Sequence, residues 1–130
     1  MVIDASALLA LMLREPEAER IARAIAADPR RLASSFTVLE SGIVVEARKG
    51  ESGGRELDLL IHRTGLESVS FTASQSEVAR DAWRRYGKGR SAADLNIGDC
   101  CAYALSRVSG EPLLFRGDDF AKTDVTPAVY

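Results

Sequence analysis

Two hydrophobic periods take turns along this chain. Short apolar runs at Val2–Ile3, Arg31–Ser35, Leu66–Phe71 and Leu113–Arg116 predict strands. The stretches between them carry apolar residues three and four apart, the spacing of one helix face. A first helix follows Asp4 and runs through Leu13, and a second takes Pro16 in its first turn and reaches about Ala27. Phe36 to Lys49 reads as a helix stopped by Gly50. Gly53-Gly54 then predicts a break before a helix at Arg55–Thr64, whose buried stripe is Leu57, Leu60 and Ile61. Residues 74–86 form the next helix, with Val78, Ala82 and Trp83 facing inward, and Asn96–Ser109 the last, closed by Gly110 and Pro112. Val125 opens a candidate final strand that Pro127 would confine to a sheet edge.

Strands alternating with helices predict an α/β fold, a parallel sheet with helices on both faces. At 130 residues the chain suits one domain with a single core, and no repeat or linker divides it. A 46% hydrophobic share beside 28% charged residues excludes a disordered chain. The net charge of −2 does not announce nucleic acid, so any basic surface must be local. Cys100 and Cys101 are adjacent and have no other cysteine to pair with, which suits a reducing compartment and offers no zinc spacing. The apolar run Ala7–Leu13 falls far short of the roughly 18 residues a membrane span needs. Asp4 stands where a signal peptide would be basic, so a soluble, cytoplasmic protein without a membrane partner is expected.

Against this background, four acidic positions stand out: Asp4, Glu40, Asp99 and the pair Asp118/Asp119. Each has a purely structural explanation. Asp4 ends a strand before a helix, where it can cap, and Ser6 can cap or add a hydroxyl to the same place. Thr37-Val-Leu-Glu40 and Asn96-Ile-Gly-Asp99 both match a capping box. Yet Phe36, Ile43 and Val44 share the helix face of Glu40, which sets that acid on an apolar stripe. Gly117-Asp-Asp119 suits an ordinary turn, with Asp119 as the site candidate and Asp118 as its assistant or substitute.

The conjunction is harder to explain structurally. Asp4 and Asp119 leave strands at one sheet edge, the edge where open α/β sheets bind ligands. Two carboxylates about 4 Å apart at an effective dielectric of 20 repel by roughly 4 kcal/mol, so a converging set must take up protons or cations. Oxygen donors without His or Cys select Mg²⁺ or Mn²⁺ over zinc.

The blocks Val-Ile-Asp4-Ala-Ser-Ala-Leu, Leu-Glu40-Ser, Leu-Asn-Ile-Gly-Asp99-Cys-Cys-Ala-Tyr-Ala-Leu and Leu-Leu-Phe-Arg-Gly-Asp-Asp119-Phe closely resemble PIN-domain ribonucleases, and more narrowly VapC toxins of type II toxin–antitoxin pairs. The likeness covers essentially the whole chain. It implies a three-layer α/β/α domain over residues 1–130, with a parallel sheet of four to five strands. It implies an acidic pocket for Mg²⁺ or Mn²⁺, with Asp4 and Asp99 as principal metal ligands and Glu40 and Asp119 completing the catalytic set. It also implies an RNA substrate, a homodimer, and silencing by a VapB-like antitoxin in a hetero-oligomer.

Hydrolysis by a metal-activated water needs no side-chain nucleophile. His62 is the one histidine, so mechanisms built on a histidine pair are excluded, and it is expected at the surface. Arg80, Arg84 and Lys88 recur every four residues with Arg85 and Arg90 alongside, either a solvated helix face or a phosphate-tracking stripe. With few aromatics and Trp83 expected inside, recognition of RNA by shape and backbone is favoured over base reading. A receiver domain lacks its acid pair here, and an Asp-x-Asp phosphatase fails because position 6 is Ser. A metal-dependent DNA nuclease and a non-catalytic PIN module remain as alternatives.

Overall fold

The computed structural model describes all 130 residues. In chain order the elements are β1 (Val2–Ile3), α1 (Ala5–Met12), α2 (Ala18–Ala27), β2 (Leu32–Ser34), α3 (Ser35–Thr64), β3 (Glu67–Val69), α4 (Ala73–Tyr86), α5 (Ile97–Ser109) and β4 (Leu113–Leu114), followed by a 3₁₀ turn at Phe120–Lys122. The four strands form one parallel sheet in the order β3-β2-β1-β4. Val2 lies between Leu32 and Leu113, so β1 is central, and both its residues are fully buried.

Because side chains alternate across a strand, the sheet divides the core in two. Val2, Leu32 and Leu113 point to one face and meet Leu105 and Ala82 from α5 and α4. Ile3, Ala33 and Leu114 point to the other and meet Leu8, Ile21 and Ile25 from α1 and α2. Each such aliphatic side chain, fully removed from water, contributes about 1.5–3 kcal/mol. No helix is long and apolar enough to cross a membrane.

Three local expectations are revised. Gly50 does break the helix, with φ 68° and ψ −170° that a side chain would strain, but the chain turns helical again at once. Gly53 and Gly54 lie buried inside that second segment. A β-carbon at Gly53 would stand 2.6 Å from Lys49 Cβ and 3.0 Å from Val45 Cγ1, so this glycine permits close helix contact and makes no break. The first strand is found at Val2–Ile3 as expected, but the other three are shorter than predicted, the last ending at Leu114. In place of a last strand, Pro127 makes one bridge to Leu113 at the β4 edge, held by Leu113 N–H to Thr126 O and Ala128 N–H to Leu113 O, both 2.8 Å.

Two faces were also misassigned. α4 buries Ala79 and Ala82 while Trp83 stays 45% exposed. α3 turns Thr37, Ser41 and Val45 inward and leaves Ile43 61% exposed, so the face shared by Glu40 and Ile43 is a margin and not the core.

Candidate active site

Asp4 is placed by both neighbours of the chain reversal it begins. Its N–H donates to Leu114 O at 2.9 Å, tying the end of β1 to β4. Its Oδ2 accepts from Ser6 N–H at 2.9 Å and Ser6 Oγ–H at 2.6 Å, so it also caps α1. Ser6 Oγ in turn accepts Arg116 N–H at 3.0 Å, which links the two strand ends a second time. Burial raises the Asp4 pKa, and the Ser6 bonds oppose that rise.

Glu40 is no capping residue. α3 starts earlier, at the Ser34 cap, whose Oγ accepts Phe36 N–H at 3.2 Å. Half-buried, Glu40 has its pKa raised by desolvation first and by the charge of Asp4 second. Its carboxylate lies against the first turn of α5, where a β-carbon at Gly98 would come within 2.8 Å of Glu40 Cδ. Glycine there makes room for an acid, at a helix position where glycine costs about 1 kcal/mol relative to alanine.

Asp99 does form the capping box. Its Oδ2 accepts Asn96 N–H at 2.8 Å while Asn96 Oδ1 accepts Asp99 N–H at 2.9 Å. A capping carboxylate at a helix N-terminus is normally easy to ionise. This one is pushed up to about 7, by burial first and then by the charges of Asp4, Asp119 and Glu40, with the Asn96 bond opposing. Asp119 is exposed and opens the turn after β4. Its charge is felt at Asp99, whereas that of the equally exposed Asp118 is not among the causes there.

These acids therefore share one field, and none of them takes part in an ion pair. Arg116 lies close in sequence to Asp118, but its Nε is held by Glu15 at 2.9 Å and Glu17 at 3.1 Å. As they stand, no three acidic, cysteine or histidine side chains converge tightly enough to hold one ion. The donor set nevertheless suits a hard divalent cation, being all oxygen and uncompensated by protein charge. The room that Gly98 leaves for Glu40 is a feature of the same kind.

The basic stripe splits. Arg80 and Arg84 line an apolar groove of about 430 Å³ together with Phe36, Phe71, Trp83 and Ile97. Arg90 stacks over the Trp83 ring, 4.6 Å from its centroid. Arg85 turns away to Asp124 at 3.2 Å and Tyr86 Oη at 2.7 Å, and Lys88 is exposed on the loop after α4. His62 is exposed near the end of α3. Gly98, Arg116 and the groove aromatics escaped sequence reasoning. Glycine inside the first turn of a strong helix was the one signal that could have exposed Gly98.

The sequence model of the PIN domain matches residues 1–125. Ribonuclease VapC30 of Mycobacterium tuberculosis is 54% identical over 125 residues, covering 96% of this chain and 95% of that protein. Ribonuclease VapC of Mycolicibacterium smegmatis is 55% identical over 125 residues, covering 96% and 97%. Among solved structures, Mycobacterium tuberculosis VapC20, described as a Sarcin–Ricin loop cleaving toxin, superposes with a TM-score of 0.77 at 18% identity, over 96% of this chain and 95% of that one. A toxin–antitoxin complex from Klebsiella pneumoniae gives 0.72 at 17% identity, over 95% and 92%. These distant structures share the fold.

Proposed function

Because the chain belongs to the PIN-domain family, among the VapC ribonucleases, we propose that it is the toxin of a type II toxin–antitoxin pair and an endoribonuclease that hydrolyses RNA phosphodiester bonds. One observation carries this: buried Asp4, half-buried Glu40 and Asp99 stand together with raised pKa values and no cationic partner. Gathering like-signed carboxylates in a partly buried place without a cation works against the fold. All residues from 1 to 130 belong to a single PIN domain in this reading.

Asp4 and Asp99 would hold a divalent cation, Mg²⁺ or Mn²⁺, with Glu40 and Asp119 completing the pocket. Such an ion, when bound, lowers the pKa of a water and offsets charge growing on phosphate oxygens. The chain's own residues do the positioning. Ser6 fixes the Asp4 carboxylate from one side, and its link to Arg116 N–H keeps the β1 and β4 ends in register. Asn96 N–H takes one oxygen of Asp99 and leaves the other without a protein donor. Glu40 is kept close by the missing side chain at Gly98.

The partners follow from surfaces and relatives. Leu39 and Ile43, one helical turn apart on α3 and 60% and 61% exposed, support a homodimer face. A VapB-like antitoxin is expected to silence the enzyme. The two buried, unpaired thiols suit the cytoplasm.

The test is cleavage of total cellular RNA by purified protein with Mg²⁺ or Mn²⁺, beside EDTA and Asp4→Asn controls. Discrete fragments that vanish in both controls are expected. Cleavage that persists in EDTA, or in the variant, would remove the acid pocket from the reaction.

A further inference from the structure

The groove beside the acids has a composition the ribonuclease reading does not use. Its α4 wall is Ser76, Ala79, Arg80, Trp83 and Arg84, residues spaced to share one helix face. Phe36, Phe71 and Ile97 complete the apolar lining from outside α4. A volume of about 430 Å³ falls within the roughly 300–1,000 Å³ of sites for small organic groups.

The groove borders the acid pocket. Ile97, Cys100 and Cys101 line it and flank Asp99 in the first turns of α5, and Phe36 lies one helical turn before Glu40. Cys100 feels the charge of Asp99, and Cys101 that of Glu40. A group in the groove would therefore lie beside a phosphodiester held by the acids.

Three observations select the occupant. Trp83, 45% exposed, presents an aromatic surface to the groove that is costly in water unless a flat partner covers it, and a nucleobase is such a partner. Arg90 lies over one face of the indole, and the ring itself lines the groove. Arg80 and Arg84 supply positive charge at the rim of a chain whose net charge is −2, and neither is in an ion pair. Aromatic lining, cationic rim and adjacency to a phosphodiester pocket are together the chemistry of single-stranded nucleic acid.

We propose that this groove seats an unpaired RNA base next to the scissile phosphate, stacked on Trp83, with Arg80 and Arg84 holding the flanking phosphates. The proposal rests on the ribonuclease reading for its substrate and makes Trp83 a specificity residue with no part in the chemical step. It also predicts that duplex RNA, whose bases are already stacked, is a poor ligand.

Trp83 is the single tryptophan, so the protein's own fluorescence reports the groove. The full chain, metal-free in EDTA so that RNA survives, is titrated with a short single-stranded oligoribonucleotide, the same strand with one abasic position moved along it, and a duplex. Saturable quenching by the single strand is expected, with weak quenching by the duplex. Quenching should be lost when the abasic position meets the groove. Trp83→Leu should weaken binding roughly tenfold, and Trp83→Phe should keep most of it. With metal present, Trp83→Leu should raise KM more than it lowers kcat, while its thermal transition stays near wild type.

A folded Trp83→Leu protein that binds and cleaves RNA like wild type overturns the stacking role and leaves the ribonuclease standing. Base-dependent quenching without cleavage in Mg²⁺ or Mn²⁺ does the reverse. Bound RNA that leaves the emission unchanged, or quenching by an antitoxin-derived peptide but not by RNA, assigns the groove elsewhere and overturns the proposal.

Discussion

Asp4 and Asp124 carry the same carboxyl group in opposite circumstances. Asp124 accepts Tyr103 Oη–H at 2.6 Å, pairs with Arg85 at 3.2 Å and has Arg107 at 3.9 Å, and its pKa is lowered by those partners. Asp4 is buried, its carboxylate hydrogen-bonded only to its own helix start, and its pKa is raised. Folding explains the first arrangement completely: the carboxylate holds the C-terminal segment to α4 and α5. It does not explain the second, where more acids of like sign have been added around a charge already hard to bury. The positive side chains gather at Asp124, Glu15 and Glu17 and leave Asp4, Glu40 and Asp99 uncompensated, the pattern on which the proposed cation site rests.

The widest separation of the two regions should come from neutralising one acid in each. Asp4→Asn is expected to lower RNA cleavage by roughly a thousandfold or more while the circular dichroism spectrum and melting cooperativity are kept. Gly98→Ala tests the pocket without touching an acid. Its methyl group must displace the Glu40 carboxylate, so cleavage should fall about tenfold although alanine favours the helix. At the other region, Asp124→Ala leaves the buried Tyr103 hydroxyl without its partner. A loss of about 1–2 kcal/mol in denaturant melts is expected, with cleavage by the folded fraction within about twofold. A loss of activity larger than the loss of folded protein would erase the distinction between the regions.

The smallest effect concerns pH. In the metal-free protein the folded state holds the Asp99 proton up to about pH 7, whereas an unfolded aspartate releases it near 3.8. The folded state thus binds more protons across that window, and stability falls as pH rises through it. Because Asp99 is only partly buried, solvent screening limits the drop to about 1 kcal/mol. Thermal melts in EDTA between pH 5 and 8 should show that slope. Asp99→Asn should flatten it, and added Mg²⁺ or Mn²⁺ should restore stability at the alkaline end. Asp124 runs the other way, its contribution fading only as pH falls toward its lowered pKa.

How far the sequence could be read depended on the range of the interaction involved. Strand–Asp4–helix and Asn96-Ile-Gly-Asp99 are local patterns, and the chain obeys them because capping uses neighbours within a few residues. The Gly50 break is local too. Thr37-Val-Leu-Glu40 misled because an equally local competitor, Ser34, caps the helix first. The errors at Trp83 and Ile43 were of another kind. Periodicity says which residues share a face, but not whether another element covers it. On α4 the covered positions went to small residues, Ala79 and Ala82, leaving the indole at the groove. Gly53-Gly54 looked like a break for the same reason, since its use lies in a contact with Val45 and Lys49 across the turn. The placing of Asp119 beside Asp99 depends on β4 lying against β1, which no window of sequence contains.

That last pairing sets a clock on the molecule. β1 is made first but is completed on one side only when β4, made last, arrives beside it. Asp4 is pinned by Leu114 O and, through Ser6, by Arg116, so its pocket has no fixed shape on a growing chain that stops short of those residues. Segments generally fold in order of emergence, N-terminal first. The earlier strands and helices can settle before Leu114 and Arg116 are made, yet the acid pocket takes its shape only once those residues arrive.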